Sequence, residues 1–254
     1  MLESLLGVQA LAFVLILTRL AGLVAVAPAL GETAIPARIR ALLAFFIAVL
    51  VYPMAAPAYD FDGLSMPGFI ALVAQEALIG LFIGVLGRIA LAALNTAGTV
   101  IAFQSGLAAA QSFDPSQGAQ GALLGRFLTL LGVTLIFISG LHHVFIEACA
   151  MSFKVFPPAD PIMLGDIARL MIDQVAGSFA LALQLSAPFI AYGLLFNIAL
   201  GIIARLMPQL QIFFIALPAN ILVGFMLMLF TLSTIMMWFL SRFEDTMFSF
   251  VGAG

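Results

Sequence analysis

The sequence predicts an all-α, membrane-associated protein built from about six long, partly broken helical segments. Three observations carry that expectation. Hydrophobic residues make up 64% of the 254 and charged ones only 8%, with a mean hydropathy of +1.24, whereas a soluble domain carries about 25% charged residues. Apolar runs long enough to cross a bilayer, about 20 residues, fall at 8–27, 39–56, 69–94, 123–147, 175–206 and 210–240. The last two exceed a straight span and contain Pro188 and Pro218, where a kink or break is expected.

The first run holds Arg19. An arginine at mid-bilayer costs about +3 kcal/mol, against roughly −5 from the run's eleven Leu, Ile, Val and Phe residues, so insertion stays favourable and Arg19 is expected to face protein. The connection at 31–40 carries Arg38 and Arg40, and the one at 58–67 carries Asp60 and Asp62. The third run holds Glu76 and Arg88, which stand about 120° apart around a helix and do not share a face. Charges inside membrane segments are functional candidates, or buried contacts to partner helices. Glu76, Gly80 and Gly84 recur every four residues, a stripe on which another backbone can approach closely.

Residues 104–121, QSGLAAAQSFDPSQGAQG, then break the apolar pattern. Their Gly and Pro positions interrupt helical pairing, so the passage meets water, a pore or other protein rather than bare lipid. The fourth run ends near the adjacent His142 and His143, and a longer connection of mixed charge occupies 154–173. The fifth run carries a second four-residue stripe, Gly193, Asn197, Gly201 and Arg205, ending just before Met207, Pro208 and Gln209. It reads as a polar seam, or as an ordinary helix contact sealed by an Asn hydrogen bond. Lys and Arg divide almost evenly between alternate connections, too evenly to orient the chain.

Several function classes are disfavoured. The nine basic residues are scattered and the net charge is −3, so nucleic acid is not an expected partner. The single cysteine, Cys149, allows no intrachain disulfide and no thiolate metal site. No phosphate-binding loop, nucleophile elbow or H-E-x-x-H motif is present, and the two adjacent histidines point about 100° apart on a helix. No enzyme activity, metal or other cofactor is expected. The start Met1-Leu2-Glu3 lacks a basic n-region and a cleavage site, so the first apolar segment is expected to be retained.

An ordered set of motifs resembles the FliR family of flagellar biosynthetic proteins and their injectisome counterparts in the type III secretion export gate. It runs from Pro28 and Ile35-Pro36-x-Arg38-x-Arg40 through Glu76 with Gly80 and Gly84, Ala97-Gly98, Gln104-x-Gly106 and Phe113-Asp114-Pro115. His142-His143 and Ser152-Phe153 with Pro157 follow. The most specific stretch is Asn197-x-Ala199-Leu200-Gly201-x-x-x-Arg205-x-x-Pro208-Gln209-Leu210-x-Ile212-Phe213, with Pro218. Leu141 departs from the family, which more often places Gly before the His. The flagellar branch is the nearer one.

The resemblance implies one export-gate subunit over residues 1–254, with helices arranged as hairpins and a FliP-like N-terminal part fused to a FliQ-like C-terminal part. It implies partners of the FliP, FliQ, FlhB and FlhA types, unfolded flagellar proteins as cargo, and a place in the bacterial inner membrane within the basal body. Energy would come from an ATPase and the proton-motive force elsewhere in the apparatus. Much of the assembly would stand above the bilayer plane. Gln104, Gly106, Phe113, Asp114, Pro115, Gln117 and Gln120 would form a pore-closing loop. Glu76, Gly80, Gly84, Asn197, Gly201, Arg205, Pro208, Gln209 and Pro218 would pack against other subunits. The rival expectation is a secondary transporter with a proton or ion relay through Glu76, Asp114 or Arg88; broken helices suit that too. A third is an assembly factor that leaves before export begins.

Overall fold

The computed structural model describes residues 7–28, 30–31, 35–111, 123–158, 160, 164–207 and 212–251. Among these the chain is helical: α1 Val8–Val26, α2 Ala37–Ala55 with a 3₁₀ turn at Ala56–Ala58, α3 Met66–Gln104, α4 Leu107–Gln111, α5 Leu123–Ile138, α6 Leu141–Val155, α7 Leu164–Leu206 and α8 Ile212–Val251. Among the described residues five helices are long and apolar enough to cross a membrane, and α5 with α6 makes a sixth if that pair, bent by 82°, is one span. This is the all-α membrane protein that the composition predicts.

Hairpins organise it. Tyr52 Oη donates to the Gln9 carbonyl at 3.4 Å, and Phe13 meets Phe45 edge-on at 5.5 Å, so α1 and α2 run antiparallel. Gly98 of α3 meets Gly125 of α5 backbone to backbone, and Leu94 packs at Gly132, which makes that pair antiparallel as well. In α7 and α8, Gln174 bonds Thr246 at 3.4 Å and Tyr192 bonds Asn220 at 2.8 Å, again in antiparallel register.

The helix limits differ from the apolar runs in instructive ways. α7 and α8 continue through Pro188 and Pro218 instead of breaking there. The break falls inside the fourth run, where Gly140 adopts φ +78° and caps α6. α3, α7 and α8 have 39, 43 and 40 residues, or about 60 Å each at 1.5 Å per residue, twice the hydrocarbon thickness.

Two compact units are interleaved in sequence: one of Met1–Ala90, Ile136–Gln174 and Phe243–Gly254, the other of Leu91–Leu135 and Val175–Arg242. The core of the first is dense around α1, where Leu11, Leu15, Ile16, Leu20 and Leu23 are buried, as are Ile79 and Ile83 of α3; Leu11 and Leu15 cluster with Phe61, and Leu72 and Val73 of α3 pack against that cluster. α7 and α8 are apolar but little covered: 11% of the most apolar window of each is buried, against 61% for α3.

A buried charge node and two helix stripes

Arg19 and Glu76 are both fully buried and form an ion pair, α1 to α3. Nε donates to Oε2 and a terminal guanidinium nitrogen to Oε1 at 3.0 Å, a two-pronged contact. The same nitrogen donates to the Phe156 carbonyl at 3.0 Å, and the other reaches the Ser152 carbonyl at 2.9 Å and Ser152 Oγ at 3.3 Å. The full set of five guanidinium N–H donors is thereby used. The Phe153 ring lies under the guanidinium, 4.1 Å from centroid to Cζ. The carbonyls that Arg19 takes are at the C-terminal end of α6, where a cation is favoured; that of Ser152 also accepts from the Phe156 N–H at 2.9 Å. One residue thus fastens α1, α3 and α6.

Tyr59, just past the 3₁₀ turn, stacks on Phe61 at 6.2 Å. Burial first, and the Glu76 carboxylate second, push its phenol well above the ordinary tyrosine range, so it stays a neutral O–H.

The glycine stripe of α3 is the bed for this node. A Cβ on Gly80 would fall on the Arg19 carbonyl, and one on Gly84 would lie 2.7 Å from the Leu23 carbonyl. Gly22 of α1 answers from the other side: a Cβ there would lie 3.0 Å from the Ala77 carbonyl. Glu76, Gly80 and Gly84 therefore meet α1 of their own chain, in parallel register. Arg88 is exposed on α3.

At the start of the amide-rich passage, Gln104 ends α3 and Gly106 turns the chain at φ +71°. Asn220 Nδ2 donates to the Gln104 carbonyl at 3.2 Å while Tyr192 Oη donates to Asn220 Oδ1 at 2.8 Å. The Gln104 side-chain amide presses on Gly193 of α7, and Ser105 on Gly224 of α8. Phe113, Asp114, Pro115, Gln117 and Gln120 lie outside the described residues, as do Pro208 and Gln209.

The second stripe has a different setting. Gly193 is buried, but Asn197, Gly201 and Arg205 are exposed, and a Cβ on Gly201 would meet nothing within 4 Å. Leu194, Leu195, Ile198, Ile202 and Leu206 beside it are exposed too. Pro218 of α8 is likewise exposed.

Sequence reasoning missed the Arg19–Glu76 pairing and the part played by Ser152, Phe153 and Phe156, as well as the Tyr192–Asn220 bridge. The available signal was the need of a buried arginine for a carboxylate: Glu76 was the buried-run acid in reach. Among the described residues no group of three or more His, Cys, Asp or Glu side chains is placed to hold a metal.

The family model described as bacterial export proteins, family 1, matches residues 10–246. The chain is 37% identical to the flagellar biosynthetic protein FliR of Caulobacter vibrioides, over 91% of this chain and 92% of that one. It is 31% identical to FliR of Bacillus subtilis, over 88% and 87%. With the Yop proteins translocation protein T of Yersinia pestis it shares 28% identity, over 68% of this chain and 66% of that protein.

Proposed function

This chain belongs to the bacterial export proteins, family 1, the family of the FliR flagellar biosynthetic proteins, and we propose that it is a structural and gating subunit of a protein-export channel. Its coarser role follows from the family: a component of flagellar type III export, in the inner membrane, associated with other subunits of the export apparatus. The finer reading is that it joins FliP-type and FliQ-type subunits in one hetero-oligomeric gate, next to FlhB-type and FlhA-type components. Unfolded flagellar proteins pass through that gate. Within the chain, a FliP-like part precedes a FliQ-like part.

One observation carries this reading. α7 and α8 are 43 and 40 residues long and strongly apolar, yet 11% of each one's most apolar window is buried. Such helices offer far more surface than a single span presents to lipid, and the polar seam Asn197, Gly201, Arg205 sits on that open surface. A seam of this kind suits a partner helix, since small and amide side chains pack and hydrogen-bond across helices in membranes. The relay reading finds less support: both Glu76 oxygens are held by Arg19, and the pair is sealed from water.

Gating is assigned to residues 104–121. The small and polar composition of the passage resists displacement little, and Phe113 supplies the bulk to fill a closed pore. In mild detergent, the tagged chain should copurify with FliP- and FliQ-type proteins, and its deletion should abolish flagellar export. A stable monomer whose loss leaves motility intact would overturn the proposal. Removing residues 106–113 should make the membrane leak small ions with the assembly preserved; background conductance would make the passage a connector and place the seal in another subunit.

A further inference from the structure

The first unit holds a cavity of about 180 Å³, walled by Leu43 and Ile47 of α2, Phe137 at the end of α5, His142 and Ile146 of α6, and Pro28. We propose that it is a binding site for the hydrocarbon chain of a membrane lipid. Its size is the first reason. Apolar cavities of about 150 Å³ stay dry and accept benzene or xenon, so this one suits a short hydrocarbon segment. The second reason is chemical. His142 is the one polar side chain among the lining residues; its Nδ1 has no hydrogen-bond partner, a cost that a hydrocarbon occupant leaves in place and that contacts along the rest of the apolar wall must offset. Held water needs two to four polar partners, so the cavity is poorly suited to it. An empty cavity would forfeit dispersion contacts along its whole lining.

Position supplies the third reason. α2 is a candidate membrane span, and its exposed stripe is Ile39, Leu42, Phe46 and Leu50, up to 78% exposed at Leu50. Leu43 and Ile47 lie roughly 40–80° round the helix from that stripe, so the cavity wall flanks an exposed apolar face, one that meets hydrocarbon where α2 lies in the bilayer. Phe137 and Ile146 are themselves partly open, at 44% and 36% exposure, which leaves an entrance. A lipid tail can slide from the α2 surface past these residues without leaving an apolar medium.

The test uses the full chain in native membranes containing phosphatidylethanolamine with a diazirine in one acyl chain. After illumination, labelled peptides are quantified, with the exposed Phe127 and Leu130 region of α5 as reference. Peptides covering α2 and α6 should carry several-fold more label per residue than the reference. Ile47→Phe, which fills the cavity, should lower that label about fivefold and leave the reference unchanged. Ile47→Ala, which enlarges the cavity, should raise it, so the inference does not depend on one variant folding; the thermal midpoint of each variant in the same detergent checks the fold. Label no higher than the reference, or indifferent to both substitutions, would overturn the proposal. So would photo-leucine at position 43 crosslinking to another protein chain, which would show a side chain of a partner in the cavity instead.

Discussion

Glu76, Gly80 and Gly84 on α3 and Asn197, Gly201 and Arg205 on α7 share a four-residue spacing and a mix of glycine with a charged or amide residue. α1 fills the first stripe: its backbone lies on Gly80 and Gly84, and Arg19 neutralises Glu76. The second meets no neighbour at Gly201 and keeps Asn197 and Arg205 exposed. Identical spacing therefore says that a helix surface is built for close approach. Whether the approaching helix comes from the same chain depends on a counter-charge elsewhere in the sequence, and Arg19 is that counter-charge for the first stripe alone.

The comparison breaks most visibly at the charge. Glu76→Ala should destabilise the chain by about 3–5 kcal/mol, because it leaves Arg19 buried and uncompensated. Steady-state protein in the membrane and the thermal midpoint in detergent would both fall sharply. Combining Arg19→Met with Glu76→Leu should recover most of that loss, since an apolar pair of similar size removes both desolvated charges. Arg205→Ala, the charge of the open stripe, should leave the chain's own midpoint nearly unchanged and instead weaken copurification with partner subunits. If Arg205→Ala lowers the midpoint as far as Glu76→Ala does, the two stripes are not different in kind.

The glycines give the next contrast. Gly80→Ala places a methyl on the Arg19 backbone carbonyl, which cannot swing away as a side-chain end could, and should cost about 1–3 kcal/mol by overpacking. Gly201→Ala has free space and should alter the isolated chain by at most about 1 kcal/mol, in the stabilising direction expected for Ala over Gly in a helix. Gly201→Leu should spare the isolated chain as well, but reduce the yield of the assembled complex. Thermal melts on the chain alone, beside copurification yields, separate the two effects.

How much of this was legible beforehand follows from the range of each interaction. The number and apolar character of the helices were readable because each run is a local property. The limits were less so. α3 runs ten residues beyond the apolar run that ends at Leu94, because polar residues there are satisfied within the helix: Thr99 Oγ1 donates to the Asn95 carbonyl at 2.9 Å. α7 begins at Leu164, eleven residues ahead of its run, through a stretch with Asp166, Arg169 and Asp173 that a hydropathy pattern passes over. The bend between α5 and α6 depends on one left-handed glycine, Gly140, inside an unbroken apolar stretch. The Arg19–Glu76 pair joins residues 57 apart, beyond anything a helical period can report. Arg19 was expected to face protein and does so, but the periodicity of α3 alone could not say that the protein was its own α1.

The most local of the expected effects concerns the anchor of the amide-rich passage. Asn220 accepts from the Tyr192 hydroxyl and donates to the Gln104 carbonyl, tying α7 and α8 to the end of α3 where Gly106 begins the turn. Tyr192→Phe removes one donor and should cost about 1 kcal/mol. Asn220→Leu removes both bonds at once; it also leaves the Tyr192 hydroxyl, which is only part-buried, free to turn towards water, so its cost should stay below about 2 kcal/mol. Neither substitution touches the Arg19 node, so the thermal midpoint should move little beside that of Glu76→Ala. The informative readout is backbone hydrogen exchange at residues 104–111: it should quicken in Asn220→Leu and stay unchanged in Glu76→Gln variants that still fold. Equal protection in Asn220→Leu and the parent chain would mean that the turn is held by the packing of Ser105 on Gly224 and of Gln104 on Gly193 alone, and that the amide bridge is incidental to it.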